Sequence, residues 1–346
     1  MKMIHVLVVD DSAFSRKIIT NILESIPDVR VADTASDGAE ALKKTMRLRP
    51  DLITLDLEMP HMDGFTFLRW LMSSMPTPVI VISAQEEDDN VFRALDLGAI
   101  DFVAKPVRRA STQLEDIRKD LLEKVLAVPL LSMSLVKERM QTLPPHPHQT
   151  KTFSGGVPRM IGIAASTGGP PAIQRILEGL PTDFDVPVLI AQHMPAGFTT
   201  MFALRLNKYT SMNVREAQHG DLIEPGNVFV APGGKHLTVE NRNQQLFACV
   251  KNSDPEMKYS PSADLLLTSM AAELQTPSLG AILTGMGDDG KEGLKRIKEK
   301  GGITIAESDQ TAIIFGMPQE AIKAGIVDYI LPLPEIAEAI SVLCKA

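Results

Sequence analysis

HVLVVDDSAFSRKIITNILESI, residues 5–26, decides the fold. Its first six residues (5–10) form an apolar, β-branched run that ends in acids, as a strand buried on both faces does. From Ala13 the apolar residues return at helical spacing through AFSRKIITNILESI (13–26). Outward from this unit the alternation continues through VRVADTA, GAEALKKTMRL, DLITLDL, FTFLRWLMSS, PVIVISA, VFRALDLG and DFVAKP. Short apolar strands alternating with amphipathic helices imply a parallel sheet covered on both faces.

A second block of the same kind begins near Pro158. RMIGIAA, VPVLIAQ, NVFVAP, LGAILTG and GITIAE read as strands, with helices such as AIQRILEGL and GLKRIKEK between most of them. The stretch joining the blocks differs. STQLEDIRKDLLEKVLAV (111–128) suits an amphipathic helix, whereas TLPPHPHQTKTFSGG (142–156) has no apolar period and the composition of a linker. The expected fold class is α/β, with two doubly wound parallel-sheet domains. A receiver-sized domain spans 1–108, a linker 109–157 and a larger three-layer domain 158–346.

Composition narrows the function. At 346 residues, 44% hydrophobic and 23% charged, the chain can bury two cores. A net charge of −8 argues against nucleic acid as a partner, because phosphate contacts need clustered Lys and Arg. No apolar run is long enough to span a bilayer, and the N-terminus turns acidic too early for a signal peptide, so no membrane insertion is expected. Two cysteines, Cys249 and Cys344, each sit in apolar surroundings and read as buried thiols. A cytoplasmic location fits all of this.

Ligands of open α/β sheets bind beyond the carboxyl ends of the strands. In the first block those ends carry Asp10 and Asp11, Asp56, Ser83, and Lys105 followed by Pro106. Three converging carboxylates repel one another, and a hard divalent cation such as Mg²⁺ relieves that conflict. A carboxylate can then take a phosphoryl group as an aspartyl phosphate, with Lys105 neutralising charge and Ser83 hydrogen-bonding the product. Acids after strands also cap helices, but five such groups at successive strand ends outweigh that reading.

VLVVDDSAFSR, DLITLDLEMPHMDG, VIVISA and GAIDFVAKP resemble the receiver domains of two-component response regulators over residues 3–108. The resemblance implies Asp56 as phosphoacceptor and Asp10 with Asp11 as the acid pair. It implies Mg²⁺ on Asp11, Asp56 and the Glu58 backbone carbonyl. Ser83 and Lys105 take the hydroxyl and lysine roles. Phe102 stands at the switch aromatic's position, where core packing is an equal reading.

In the second block, RMIGIAA runs into Ser166-Thr167-Gly168-Gly169-Pro170-Pro171 and a helix. That places a serine hydroxyl at the top of a sheet, facing the N–H groups of a helix N-terminus. VPVLIAQ ends at His193, a candidate base, and LGAILTG ends in Met286-Gly287-Asp288-Asp289-Gly290, where either acid could orient the histidine. Backbone N–H groups near Ser166 and Met286 could form an oxyanion hole. GIAASTGG could instead cradle a nucleotide phosphate, but it lacks the Walker lysine. His219 follows no comparable pattern, and His236, in the glycine-rich turn APGGKHL, reads as structural or cleft-lining.

GIAASTGGP, IAQHMPAGFT, PGNVFVAPGGKHL, ILTGMGDDGKEGL and FGMPQEAI resemble the catalytic domain of the chemotaxis protein-glutamate methylesterases over about 158–344. The resemblance selects Asp289 over Asp288 and places Thr167 and Met286 at the border of the reaction centre. It implies hydrolysis of γ-glutamyl methyl esters on methyl-accepting chemoreceptors, deamidation of receptor glutamines, and no cofactor for the esterase site. A chemotaxis histidine kinase would supply the phosphoryl group. The fusion of a switch to an enzyme leads to the expectation that the unphosphorylated receiver restricts access to Ser166. The competing expectation is a response regulator whose output domain binds a partner and catalyses nothing.

Overall fold

A computed structural model describes residues 3–83, 88–105, 111–140, 157–254, 256–274 and 276–345. The chain divides into two compact units, Met1–Leu143 and Pro144–Ala346.

In the first unit, β1 (Ile4–Val9) leads through α1 (Ala13–Glu24) to β2 (Val29–Ala35) and α2 (Gly38–Leu48). Then follow β3 (Leu52–Leu55), α3 (Gly64–Ser74), β4 (Val79–Ser83), α4 (Asp88–Asp96) and β5 (Asp101–Ala104). The strands form one parallel sheet in the order β2-β1-β3-β4-β5. Val6, Leu7, Val8 and Val9 are buried because β1 lies between two strands with helices over the sheet. Side-chain caps start the helices: Ser12, Asp37 and Asp63 each accept the N–H three residues on. The order reverses at β1, with β2 on one side and β3 on the other, so Asp10 and Asp56 leave adjacent strand ends at the switch point.

The stretch expected as linker is partly helical. It holds α5 (Ser111–Ala127), which accords with the amphipathic pattern there, and α6 (Met133–Met140). TLPPHPHQTKTFSGG lies outside the described residues.

The second unit begins with β6 (Ile161–Ala165), α7 (Gly169–Gly179), β7 (Val188–Gln192) and α8 (Phe198–Leu206). It continues with β8 (Asn213–Glu216), β9 (Asn227–Val230), the hairpin β10 (Lys235–Arg242) and β11 (Gln245–Asn252), and α9 (Ala263–Glu273). Last come β12 (Leu279–Ile282), α10 (Lys291–Glu299), β13 (Ile303–Glu307), α11 (Met317–Lys323), β14 (Tyr329–Leu331) and α12 (Leu333–Lys345). A seven-stranded parallel sheet runs β14-β13-β12-β6-β7-β9-β8. The five strands expected from sequence are its inner members. The edge strands β8 and β14 are short and partly exposed, so they lack a continuous apolar run. The antiparallel hairpin turns at Asn243 and Gln244, both at positive φ, and packs one face on the core through Leu237, Val239 and Ala248. Cys249 and Cys344 are free thiols.

Here too the order reverses at the first strand. β7 lies on one side of β6 and the later β12 on the other. Residues following β12, β6 and β7 therefore share one edge of the sheet.

Candidate functional site

The first unit gathers carboxylates where β1 and β3 end. Asp10 is 0% exposed, Asp56 is 1% exposed and Asp11 is exposed. One ligand atom from each lies within 4.8 Å of the others. The Asp56 N–H donates to the Val9 carbonyl, which ties the two strand ends together. Arg16 Nη1 donates to the carbonyls of Asp10 and Asp11 and so holds the acid turn in place. Gly64 packs against the turn that follows β3: a Cβ there would fall 2.3 Å from the Asp56 carbonyl oxygen.

Lys105 Nζ donates to Asp56 Oδ2 at 2.6 Å and lies 3.4 Å from Asp10 Oδ2. Burial pushes the Asp10 carboxyl up to about 6, with the Asp56 charge adding and Lys105 opposing. Burial also raises Asp56 against the pull of Lys105. Burial disfavours the charge on Lys105, but the two carboxylates outweigh it and hold the ammonium above its ordinary range. Beyond that ion pair, the buried Asp10 Oδ2 has no hydrogen-bond partner among the described residues. A clustered, under-neutralised oxygen set of this kind fits a hard divalent cation. Ser83 is buried at the end of β4, and the Lys105 N–H donates to its carbonyl. Glu58 lies just past Asp56, and its N–H points at Asp56 Oδ1 at 3.4 Å. Phe102 faces inward, edge-on to Phe92 at 6.4 Å, with Lys124 Nζ 5.2 Å from its ring.

In the second unit the chain leaves β6 through Ser166 and Thr167, then turns at Gly168, whose φ of +76° favours glycine. The Ser166 N–H donates to the Thr284 carbonyl beyond β12, and the Ser166 carbonyl accepts from the Gly169 N–H and from Gln192 Nε2. The serine turn is thus pinned from both neighbouring strands. Gly169 has no room for a side chain, since a Cβ would lie 2.0 Å from Gln192 Oε1.

His193 follows β7, and its N–H donates to the Ala165 carbonyl. Its Nε2 lies 2.8 Å from Asp289 Oδ2, while its buried Nδ1 has no hydrogen-bond partner among the described residues. Asp289 also accepts from Ser262 Oγ and from the N–H groups of Ala263 and Asp264. Ser262 is the N-cap of α9, so the carboxylate sits on a helix N-terminus. Burial works against this charge, but the hydrogen bond and charge of His193 and the two backbone N–H groups outweigh it and hold the carboxyl below its ordinary range. Asp288 is exposed and faces Lys291, so the structure brings Asp289, not Asp288, to the histidine.

Thr167 and Met286 flank this centre. Thr167 is buried, and its carbonyl accepts from Thr284 Oγ1. Gly285 abuts the serine: a Cβ there would lie 2.7 Å from Ser166 Cβ. The Gly285 N–H is committed to the Ile314 carbonyl, whereas the Met286 N–H donates to no protein acceptor among the described residues. Thr284 ties the region together. Its hydroxyl accepts from the Ile314 N–H, and its N–H donates to the buried carboxylate of Glu307. His236 is buried, with Nδ1 accepting from the Ser262 N–H; burial lowers its pKa against the pull of Asp289. His219 instead faces Cys249, with Nδ1 3.6 Å from Sγ.

Sequence reasoning missed Ser262, Gln192, Thr284 and Tyr259. Ser262 was findable as an N-cap before the apolar run of α9. Gln192 and Thr284 adjoin named residues, but only the fold shows what they bond. Tyr259 stacks on His193 from a polar loop with no periodic pattern.

Residues 161–340 match the CheB methylesterase family, and residues 6–115 match the response regulator receiver domain. A protein-glutamate methylesterase/protein-glutamine glutaminase of Myxococcus xanthus is 45% identical, over 99% of this chain and 97% of its own length. One from Pyrococcus horikoshii is 40% identical, over 97% of this chain and 92% of its own. The crystal structure of the Thermotoga maritima CheB methylesterase catalytic domain matches with 38% identity and a TM-score of 0.52, covering 55% of this chain and all of that one. The chain belongs to the CheB methylesterase family and carries a response regulator receiver domain ahead of the catalytic one.

Proposed function

We propose that this protein is a phosphorylation-activated hydrolase that removes methyl esters from glutamate side chains of chemoreceptors, with Ser166, His193 and Asp289 as its catalytic triad. The observation that carries the reading is the His193–Asp289 contact of 2.8 Å at strand ends adjoining Ser166. The names of the full-length relatives support the ester substrate and the companion glutamine deamidation, and they disfavour a non-catalytic output domain.

Ser166 Oγ attacks the ester carbonyl while His193 takes its proton. With Nε2 held by Asp289, Nδ1 is the nitrogen left for the serine, the reverse of the assignment in chymotrypsin-type triads. Asp289 fixes the tautomer and stabilises the imidazolium. The Met286 N–H, which has no protein acceptor among the described residues, suits the developing oxyanion, and the adjacent Thr167 lines the turn. As the tetrahedral intermediate collapses to an acyl-serine, His193 gives the proton to the departing methoxide oxygen, which leaves as methanol. Water, activated by the same histidine, then releases glutamate. An amide substrate follows the same path with ammonia leaving.

Asp56 is the proposed phosphoacceptor, served by a histidine kinase of the chemotaxis system. Asp11, Asp56 and the Glu58 carbonyl would hold Mg²⁺, with Asp10 beside them; the ion supplies neutralising charge for phosphoryl transfer. Lys105 neutralises a phosphoryl oxygen, Ser83 donates to another, and Phe102 is the candidate switch aromatic. The proposed division is receiver 1–108, linker 109–157 and catalytic domain 158–346. No helix among the described residues is long and apolar enough to cross a membrane, which is compatible with action from the cytoplasm.

The control is tested by methanol release from a γ-methyl-glutamyl peptide with and without acetyl phosphate. Wild type should accelerate with the phosphodonor and Asp56→Asn should keep a constant basal rate. An equal response in both proteins contradicts control through Asp56.

A further inference from the structure

We infer that Tyr259 is a positioning residue for the catalytic base: it holds the His193 ring in the plane that serves both Asp289 and Ser166. This rests on the hydrolase reading above and adds a residue to it.

The ring of His193 has one hydrogen-bonded end. Nε2 is fixed by Asp289 at 2.8 Å, while the buried Nδ1 has no hydrogen-bond partner among the described residues. An imidazole tethered at one nitrogen can still rotate about that contact and carry Nδ1 away from a nucleophile. The Tyr259 ring removes this freedom. It lies parallel to the imidazole, with centroids 4.6 Å apart and an interplanar angle of 9°. Stacking at this distance resists tilting, because any rotation out of plane forces ring atoms into contact.

Tyr259 is itself held on two sides. Lys258 Nζ lies 4.5 Å from its ring centroid. Since the imidazole occupies one face, an ammonium at that distance must lie on the other. The phenol reaches the turn after β12, where a Cβ on Gly287 would fall 2.1 Å from the Tyr259 oxygen. Gly287 has a φ of +89°, so the missing side chain both permits the turn and makes room for the phenol. Tyr259 therefore spans from the base to the turn that carries Met286. Its contacts are with the base and with that turn, which makes it a positioning residue rather than a member of the triad.

Misplacing a catalytic group by about 1 Å can cost roughly 10²-fold in rate. Tyr259→Leu, which keeps bulk but not a flat face, should therefore lower kcat about 10- to 100-fold while KM stays within about threefold. Tyr259→Phe, which keeps the face, should recover kcat to within about threefold of wild type. The experiment uses the full chain and methanol release from a γ-methyl-glutamyl peptide, with thermal melting recorded for each variant. Should Tyr259→Leu fail to fold, Tyr259→Gln carries the same expectation. Equal losses in the Phe and Leu variants, or a Leu variant that changes KM alone or nothing, overturn the inference. Ser166→Ala, run in parallel, separates the two readings. An active Ser166→Ala sinks the triad, whereas an inactive Ser166→Ala beside a Tyr259→Leu variant of normal kcat sinks only the role of Tyr259.

Discussion

His193 Nε2 and Asp289 Oδ2 stand 2.8 Å apart although the residues are 96 positions apart in sequence. Two features of the fold create the contact. β7 and β12 flank β6, and α9 aims its N-terminus at the same edge. Asp289→Asn would retain the shape but present an amide to His193 and to three donors, with the wrong tautomer as a result. It should lower kcat by about 10³- to 10⁴-fold with little change in KM, as steady-state methanol release would show.

The same carboxylate links stability to pH. Its folded pKa lies below the ordinary value of 3.8, so its stabilisation is complete above that value and is lost as pH falls through the lower folded one. The gap in urea midpoint between wild type and Asp289→Asn should therefore be constant at neutral pH and narrow below about pH 4. A gap that widens on acidification contradicts the ionised, multiply hydrogen-bonded carboxylate.

The receiver chemistry should depend on metal while the esterase chemistry should not. Chelation with EDTA is expected to abolish labelling of Asp56 by acetyl phosphate and leave basal methanol release intact. Mass spectrometry and a methanol assay read the two halves separately. Loss of the basal esterase rate on chelation would falsify a metal-free serine mechanism.

Gly64 tests how tightly the Asp56 turn is built. A Cβ there meets the Asp56 carbonyl oxygen at 2.3 Å and Leu57 Cα at 2.7 Å, both backbone atoms that cannot swing aside. Gly64→Ala should cost about 1–3 kcal/mol of receiver stability and slow phosphorylation of Asp56. Denaturant unfolding and phosphorylation kinetics check both effects.

Thr284→Val keeps the volume and removes the hydroxyl. It leaves the buried Ile314 N–H without its acceptor and frees the Thr167 carbonyl beside Ser166. The expected cost is about 1–3 kcal/mol of stability, together with a reduced kcat. A variant with normal stability and rate would show that the hydroxyl does not organise the turn.

Much of the architecture was legible because the inner strands are buried on both faces, so β1, β3, β6, β7 and β12 announce themselves as continuous apolar runs. Their ends then carry Asp10, Asp56, Ser166, His193 and the Asp288–Asp289 pair without further help. The choice of Asp289 was not in the spacing, since either acid fits a glycine-flanked turn; it came from the family motif. In the fold, the position of α9 separates the buried acid from the exposed one. β8, β14 and the β10–β11 hairpin escaped because edge and one-sided strands have no continuous apolar run. Tyr259 escaped because its partner, His193, is 66 residues earlier in the chain.

The most direct test of the central claim is methanol release from membranes bearing methylated chemoreceptors, comparing wild type with Ser166→Ala. Wild type should release methanol and the variant none, while both still accept a phosphoryl group on Asp56. Release by Ser166→Ala at the wild-type rate would contradict a serine esterase built on this triad.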